Sequence, residues 1–346
     1  MSAQTMQTLL DLIRQEASLE YQNRVPEAVR SKIEEIGNPI LERTDIANEF
    51  LTALIGRIGM TMIKQRIATN PLSILKKGGM PLGSDIQDIF VNMAQDQGFD
   101  GKGDKLLTRT LPDIKVLYHR LNRKSQYPVT ISREQLASAF VSWEKLEEFL
   151  TAIVNSLYSG DNRDEFILTK NTFASAIEND KIVKLNVLDI NTPGATKTLV
   201  KDIIKTSKLM QFPSTIWNAY NLNRPEHDTG RPIETWTPLE NQILIIRADI
   251  MTDINVDELA AAFNMEKMQF MQRVLEVDNF GSATNCYAIL CDEAYVEVRD
   301  NLFEVTSFNN GQGLYLNYWL NHWQTYSLSL FANAVAFISD NVSSDE

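Results

Sequence analysis

Gly78-Gly79-Met80-Pro81-Leu82-Gly83-Ser84 has the glycine spacing of a phosphate loop, in which backbone N–H groups wrap an anion. Ser84-Asp85 stands where such a loop carries its Lys-Ser/Thr pair, so the segment reads as a turn. His119, His227 and His322 are isolated from one another and from any carboxylate or cysteine at metal-ligand spacing. His227 and Asp228 adjoin by chance in a proline-rich loop. Trp319, His322 and Trp323 have the composition of a base-stacking platform, but they border an apolar strand, where aromatic side chains serve core or interface. Nucleophile-elbow, zinc-helix and dinucleotide fingerprints do not occur. No catalytic, cofactor-binding or metal-binding residue is assigned, and the chain is expected not to be an enzyme.

The elements that would position such groups are those of an α+β chain of 346 residues, 44% of them hydrophobic, enough for one large or two medium domains. A net charge of -12 argues against general nucleic-acid binding through a basic surface. In an extended stretch Cys286 and Cys291 would lie roughly 16 Å apart, beyond disulfide reach, which fits a reducing compartment. Signal-peptide character and membrane-length apolar runs are lacking, so a cytoplasmic product with no membrane partner is expected.

The firmest element is 142–159. Trp143, Leu146, Phe149, Leu150, Ile153, Val154, Leu157 and Tyr158 share one helical face, and Ser142 is placed to cap it. Ser132 and Gln135 read as a capping box just before it. Ser159-Gly160-Asp161 is expected to break the helix before a second run with Phe166, Ile167, Phe173, Ala174 and Ile177. Residues 1–44 begin with a short amphipathic helix and continue as a polar segment broken by Pro26, Gly37 and Pro39, an arm more than a domain. A short helix from Thr44 or Asp45 and an extended run 60–68 follow.

From 72 to 131 the pattern turns extended, with arms centred on 86–93 and on Ile114, Val116 and Tyr118 alternating with Lys115, Leu117 and His119. Between them lies the turn-forming run Gly98-Phe99-Asp100-Gly101-Lys102-Gly103-Asp104. An arm of about 18 residues would reach roughly 60 Å, and an isolated hairpin is marginal in water. Either the projection folds back on its own domain or it lies across a neighbouring copy.

After a strand at 181–190, a helix over 196–210 turns Leu199, Val200, Ile203 and Ile204 inward and lines its outer side with Lys197, Lys201, Lys205 and Lys208. That face reads as solvated, with packaged nucleic acid or an acidic partner as the alternative. An irregular loop at 223–238, a strand at 242–251, a capped helix from Asn255 through Phe263 and strands around 287–298 come next. The last element, a single strand expected over 323–339, alternates and then becomes almost wholly apolar over 331–338, and a strand that apolar belongs in the middle of a sheet.

The ordered series NEFLTALIGRIG (48–59), NPLSILKKGGMPLG (70–83), AFVSWEKLEEFLTAIVNSLY (139–158), AAAFNMEKMQF (260–270) and GLYLNYWLNHWQTYSLSLFANAVAFIS (313–339) resembles the major capsid proteins of tailed bacteriophages, most closely the phi-twenty-nine group of small podoviruses. The resemblance implies the Hong Kong ninety-seven type of capsid fold. It would place an N-terminal arm in 1–44, the start of a peripheral domain in 45–63 and an extended β loop in 64–131. The spine-helix part of the peripheral domain would fill 132–180, an axial domain 181–305, and a return strand with tail 306–346. It also implies self-association into pentamers and hexamers, packaged double-stranded DNA bound without sequence specificity, separate scaffolding and portal or connector proteins, and a place in the virion. No immunoglobulin-like domain is expected after the last strand. Ile86, Ile89, Phe90, Phe99, Val116 and Tyr118 on the projection are the expected intersubunit contacts. The rival reading is an encapsulin-like cellular compartment shell, or a cellular enzyme without a recognisable motif.

Overall fold

The computed structural model describes residues 3–28, 33–61, 70–99, 101–104, 107–224, 230–252, 254 and 273–339. In chain order helices α1 (Ala3–Glu16), α2 (Leu19–Arg24), α3 (Ile33–Glu42) and α4 (Thr44–Thr61) precede strands β1 (Lys76–Gly79), β2 (Ile86–Val91), β3 (Ile114–His119) and β4 (Arg123–Ser132). Helices α5 (Arg133–Ala139) and α6 (Trp143–Glu178), strand β5 (Val183–Val187) and helices α7 (Ala195–Leu209) and α8 (Ala219–Leu222) follow. The chain ends in β6 (Gln242–Arg247), α9 (Ala248–Met251), β7 (Val274–Val277), β8 (Cys286–Asp292), β9 (Val296–Asn310), β10 (Tyr315–Leu328) and β11 (Ala334–Ser339). It forms two compact units: unit 1 comprises 1–70, 122–165 and 300–324, and unit 2 the remainder.

Unit 1 is built around α4, α5 and the first part of α6. Ser132 Oγ accepts from Gln135 N–H at 3.2 Å while Gln135 Oε1 accepts from Ser132 N–H at 3.0 Å, the reciprocal cap expected before α5. Ser142 Oγ accepts from Lys145 N–H at 3.3 Å and starts α6. Phe50, Leu54, Phe140, Leu146, Ile153 and Leu157 form the core with Leu316, Tyr318 and Leu320 of β10, which pairs antiparallel with β4. Residues 3–42 differ from the expected arm: α1, α2 and α3 lend Leu9, Ile13, Tyr21, Ile36 and Ile40 to the same core. Gly37 and Pro39 do not break α3. A Cβ on Gly37 would stand 2.6 Å from Phe140 Cβ, so this glycine serves close packing of α3 on the end of α5.

The expected break at 159–161 is absent as well, since α6 runs without interruption for 36 residues. Glycine in a helix interior costs about 1 kcal/mol, which contacts made by Asp161 and its neighbours offset. The extended run expected at 60–68 meets helix α4 at its start, and its remainder, 62–68, lies outside the described residues, as do His227, Asp228, the helix 255–263 and the tail 340–346.

Unit 2 centres on a five-stranded sheet ordered β5-β11-β8-β6-β7. Strand β11 lies inside it, parallel to β5 and antiparallel to β8, the place its apolar run requires. The long last element expected from the sequence is two strands, β10 and β11, separated at 329–333. Successive residues of β11 feed opposite faces: Ala334 and Ala336 meet Phe173, Ala174 and Ile177 of α6, while Val335 and Phe337 meet Leu199 and Ile203 of α7. Cys286 and Cys291 are free and buried. In this unit β1 joins the first residues of β9, where Lys77 is paired with Glu297.

Two glycine replacements test the helix assignments. A Cβ on Gly160 would make ordinary contact with the Tyr127 ring at 3.7 Å, so Gly160→Ala should raise the thermal midpoint of unit 1 by about 2–4 °C, whereas Gly37→Ala should lower it through overpacking. Destabilisation by Gly160→Ala in a thermal scan would mean that the helix does break there.

Candidate functional site

Two groups of residues stand out, one in each unit. In unit 2, β2 and β3 form an antiparallel ribbon with Ile89 opposite Val116 and Val91 opposite Ile114. Its arms are six residues each, far shorter than the expected projection, and no strand is formed by the described residues between 92 and 113. The ribbon leans on its own unit through one face. Phe90 stacks at 5.7 Å from Phe331, which in turn lies 5.1 Å from Tyr220, and Leu117 packs on the same cluster.

Polar side chains fix that inner face. His119 Nδ1 lies 2.6 Å from Ser327 Oγ, its Nε2 lies 3.5 Å from Asp88 Oδ2, and Ser329 Oγ donates to Asp88. Burial would raise the Asp88 pKa, but the His119 and Ser329 contacts outweigh it and hold the carboxyl below its ordinary range. Lys115 Nζ reaches Asp113 Oδ1 at 3.1 Å, and Asp113 Oδ2 also accepts from Asn92 Nδ2 at 2.8 Å and from Arg231 N–H at 3.2 Å. The Asn92 hydrogen bond leads the contacts that lower the Asp113 pKa.

This leaves an inverted strand: Lys115 and His119 are buried, while Ile114, Val116 and Tyr118 are exposed. With Ile89, Val91 and Met93 they form a contiguous exposed apolar face. Of the expected contact residues, Ile89, Val116 and Tyr118 lie on this face and Phe99 is fully exposed beyond it. Ile86 is half-buried, and Phe90 is turned to its own subunit by the two-residue period of the strand.

In unit 1 a buried polar cluster joins α6, β4, β9 and β10. Arg123 Nη2 donates to Asp161 Oδ1 at 2.9 Å and to Tyr127 Oη at 2.7 Å, and Arg123 also donates to Gln324, its cross-strand partner. Gln324 Nε2 donates to Asp300 Oδ1 at 2.8 Å and also to Glu165. His322 Nδ1 lies 2.6 Å from Asp161 Oδ2 and Nε2 lies 2.9 Å from Asp300 Oδ1. Both contacts are hydrogen bonds only when both ring nitrogens carry protons. Burial would lower the imidazole pKa, but the hydrogen bonds to Asp161 and Asp300 outweigh it and hold it above 6.5.

Asp161, Glu165 and His322 are also donor types for a divalent cation, with ligand atoms within 4.8 Å of one another. Two donors sharing one ion stand roughly 3 Å apart or more, so 2.6 Å between Nδ1 and Oδ2 fits a proton better, and Arg123 already supplies a cation to Asp161. The cluster is a charged fastening of unit 1.

The sequence reading missed this cluster because the carboxylates are remote in the chain. The signal was present in β10, where His322 and Gln324 continue the core-facing phase of Leu316, Tyr318 and Leu320. The same alternation dissolves the stacking platform, since Trp319 and Trp323 lie on the opposite face from His322, with Lys124 Nζ 4.6 Å from the Trp323 ring centre. On α7, Lys197, Lys201, Lys205 and Lys208 are all exposed and have no ion-pair partner among the described residues.

Residues 10–338 match the family model described as Phi29-like phage major capsid protein. The chain belongs to that family. It is 34% identical over 342 residues to the major capsid protein of Bacillus phage PZA, covering 96% of this chain and 73% of that protein. The major capsid protein of Streptococcus phage Cp-1 is 32% identical over 347 residues, covering 94% of this chain and 92% of that one. A chain from the capsid structure of Staphylococcus phage Andhra shares the fold with a TM-score of 0.64 at 11% identity, covering 79% of this chain and 85% of that one. A chain from the structure of the head fiber and inner core protein gp22 of native bacteriophage P68 does so with a TM-score of 0.62 at 10% identity, over 81% and 87% of the two chains. The fold is therefore the α+β fold of tailed-phage capsid proteins. No helix among the described residues is long and apolar enough to cross a membrane.

The raised His322 pKa fixes a sign. Its stabilising contribution is complete below pH 6.5 and is lost as pH rises through the higher folded-state value. The unfolding midpoint of unit 1 should therefore fall as pH rises from 6 towards 9. His322→Gln should cost about 3 kcal/mol at pH 6 and flatten that dependence. An unchanged pH slope in the variant, measured by denaturant titration, would remove His322 as its source.

Proposed function

We propose that this chain is the major capsid protein of a tailed phage, a structural subunit whose copies associate into pentamers and hexamers and close an icosahedral head shell. The observation that carries the reading is membership, across residues 10–338, of a family of phage major capsid proteins. The ribbon supports it physically: a two-stranded element with an apolar outer face is marginal alone and gains stability when a second surface covers that face. Residues Ile89, Val116 and Tyr118 are its proposed contacts, with Phe99 beyond them. Ile86 and Phe90 act by seating the ribbon on its own unit.

The mechanism is additive. Each contact between copies is modest, and closure by symmetry makes every subunit satisfy several at once. Packaged double-stranded DNA, a scaffolding protein and a portal or connector protein are further proposed partners. The exposed lysines of α7 have the charge for sequence-independent phosphate contact in an otherwise acidic chain. The location proposed is the virion, after assembly in the host cytoplasm.

Negative-stain micrographs of the chain expressed with and without its gene neighbours test this. Closed shells of uniform size are expected, with nuclease-protected DNA in those made during infection; small discrete oligomers alone under both conditions would reject the reading. Ile89→Asp with Val116→Asp removes two apolar contacts worth about 1.5–3 kcal/mol each per copy. The double variant should stay folded and soluble while shell yield falls at least tenfold, and undiminished yield would take the ribbon out of the interface.

A further inference from the structure

Unit 1 carries an open cleft of about 150 Å³ walled by Leu41 of α3, Leu136 of α5, Leu314 just before β10 and Leu316 within it. An apolar cavity of that size accommodates one benzene-sized ring. Leu314 is 60% exposed and holds a φ of 51°, a conformation that a leucine adopts only under constraint. The fold thus keeps a strained, exposed leucine at the mouth of an apolar slot.

One cation stands at this wall, and the backbone fixes its place. Arg133 N–H donates to Leu314 O at 3.1 Å and its Nη2 donates to Leu41 O at 2.7 Å, so the residue bridges two of the cleft's own walls. A guanidinium has five N–H donors, and the bond to Leu41 O is the only side-chain hydrogen bond of Arg133 among the described residues. The chain has 45 acidic residues against 33 basic ones, yet Arg133 has no ion-pair partner among the described residues, and none of those lining the cleft is a carboxylate. The remaining polar side chains of the lining are Thr44 and Asn309. A fixed guanidinium fork with donors to spare beside an apolar slot is the pairing that recognises a carboxylate attached to an apolar body.

We infer that this cleft binds a small monocarboxylate whose apolar body is about the size of a benzene ring, the body lying between the leucines and the carboxylate on the Arg133 fork. The inference stands apart from the shell-subunit reading. Size and charge both select this ligand class. A peptide helix is about 10 Å across, too wide for a slot that takes one ring, and a nucleic-acid backbone calls for several cations where the cleft supplies one. A second cavity, in unit 2, is larger, about 250 Å³, but Asp88, Glu234 and Asp292 line it and would repel an anion. Bound in unit 1, the ligand would join α3, α5 and the start of β10, and it would stabilise the unit by binding its folded form alone.

Calorimetric titration of benzoate into the full chain, purified as free subunits, tests this, with benzamide as the uncharged isostere. Benzoate should bind at one saturable site and raise the thermal midpoint, and benzamide should bind at least tenfold more weakly. Arg133→Gln removes the charge and should weaken benzoate at least tenfold. The benzamide comparison needs no variant, so it decides the role of the charge even if Arg133→Gln fails to fold. Leu314→Asn supplies the other arm, because asparagine tolerates the positive φ while removing apolar wall. It should leave the ligand-free midpoint unchanged or raised and weaken benzoate at least fivefold. Absence of saturable benzoate binding would overturn the assignment, as would equal affinity for benzamide or undiminished benzoate affinity in either variant.

Discussion

A two-stranded ribbon has two faces, and in this protein its own unit covers one of them. Strand β3 spends its buried positions on Lys115 and His119 and its exposed ones on Ile114, Val116 and Tyr118, the reverse of the pattern that places apolar side chains in a core. The buried polar groups have built partners in Asp113, Asp88 and Ser327, so the inversion is not a register error. It anchors the ribbon at its base through charge and at Phe90 through an aromatic contact, while the apolar side stays open for another surface. On the proposed reading, that open side is the surface a second copy would cover.

The rest of the fold supplies a rigid base for that face. In unit 2 the sheet is buried on both sides, with β11 as an interior strand between β5 and β8, and a close-packed interior of that kind deforms little. In unit 1 the work done elsewhere by apolar packing is shared with a charged cluster. Arg123, Asp161, Asp300, His322 and Gln324 tie a helix to three strands through directional contacts. Such a cluster specifies one geometry strongly, because displacing any member strands a buried charge. It also makes unit 1 sensitive to the protonation of a single imidazole.

Much of this was legible in the residues. The part of the α6 stripe formed by Leu146, Ile153, Leu157 and Tyr158, the capping box before α5, the inward face of α7 and the interior position of β11 follow from periodicity and composition, and they appear where expected. The failures share one cause, the reading of local turn chemistry without its tertiary partners. Gly160-Asp161 looked like a helix break, yet Asp161 is held by Arg123 and His322 from distant strands. Gly37 looked like an interruption, yet it makes room for Phe140. The ribbon was expected to be long because its alternation was counted without asking which phase faces inward. His322 was dismissed because its carboxylates stand 22 and 161 residues away in the chain.

The central claim is that the outer face of the β2–β3 ribbon, open in a single copy, is covered by another copy. Hydroxyl-radical footprinting of Met93 and Tyr118 in free subunits and in purified shells measures this directly. Both side chains should label strongly in the free subunit and be protected several-fold in the shell. Equal labelling in the two states would show that the face stays in water after closure, and that something other than this ribbon holds the copies together.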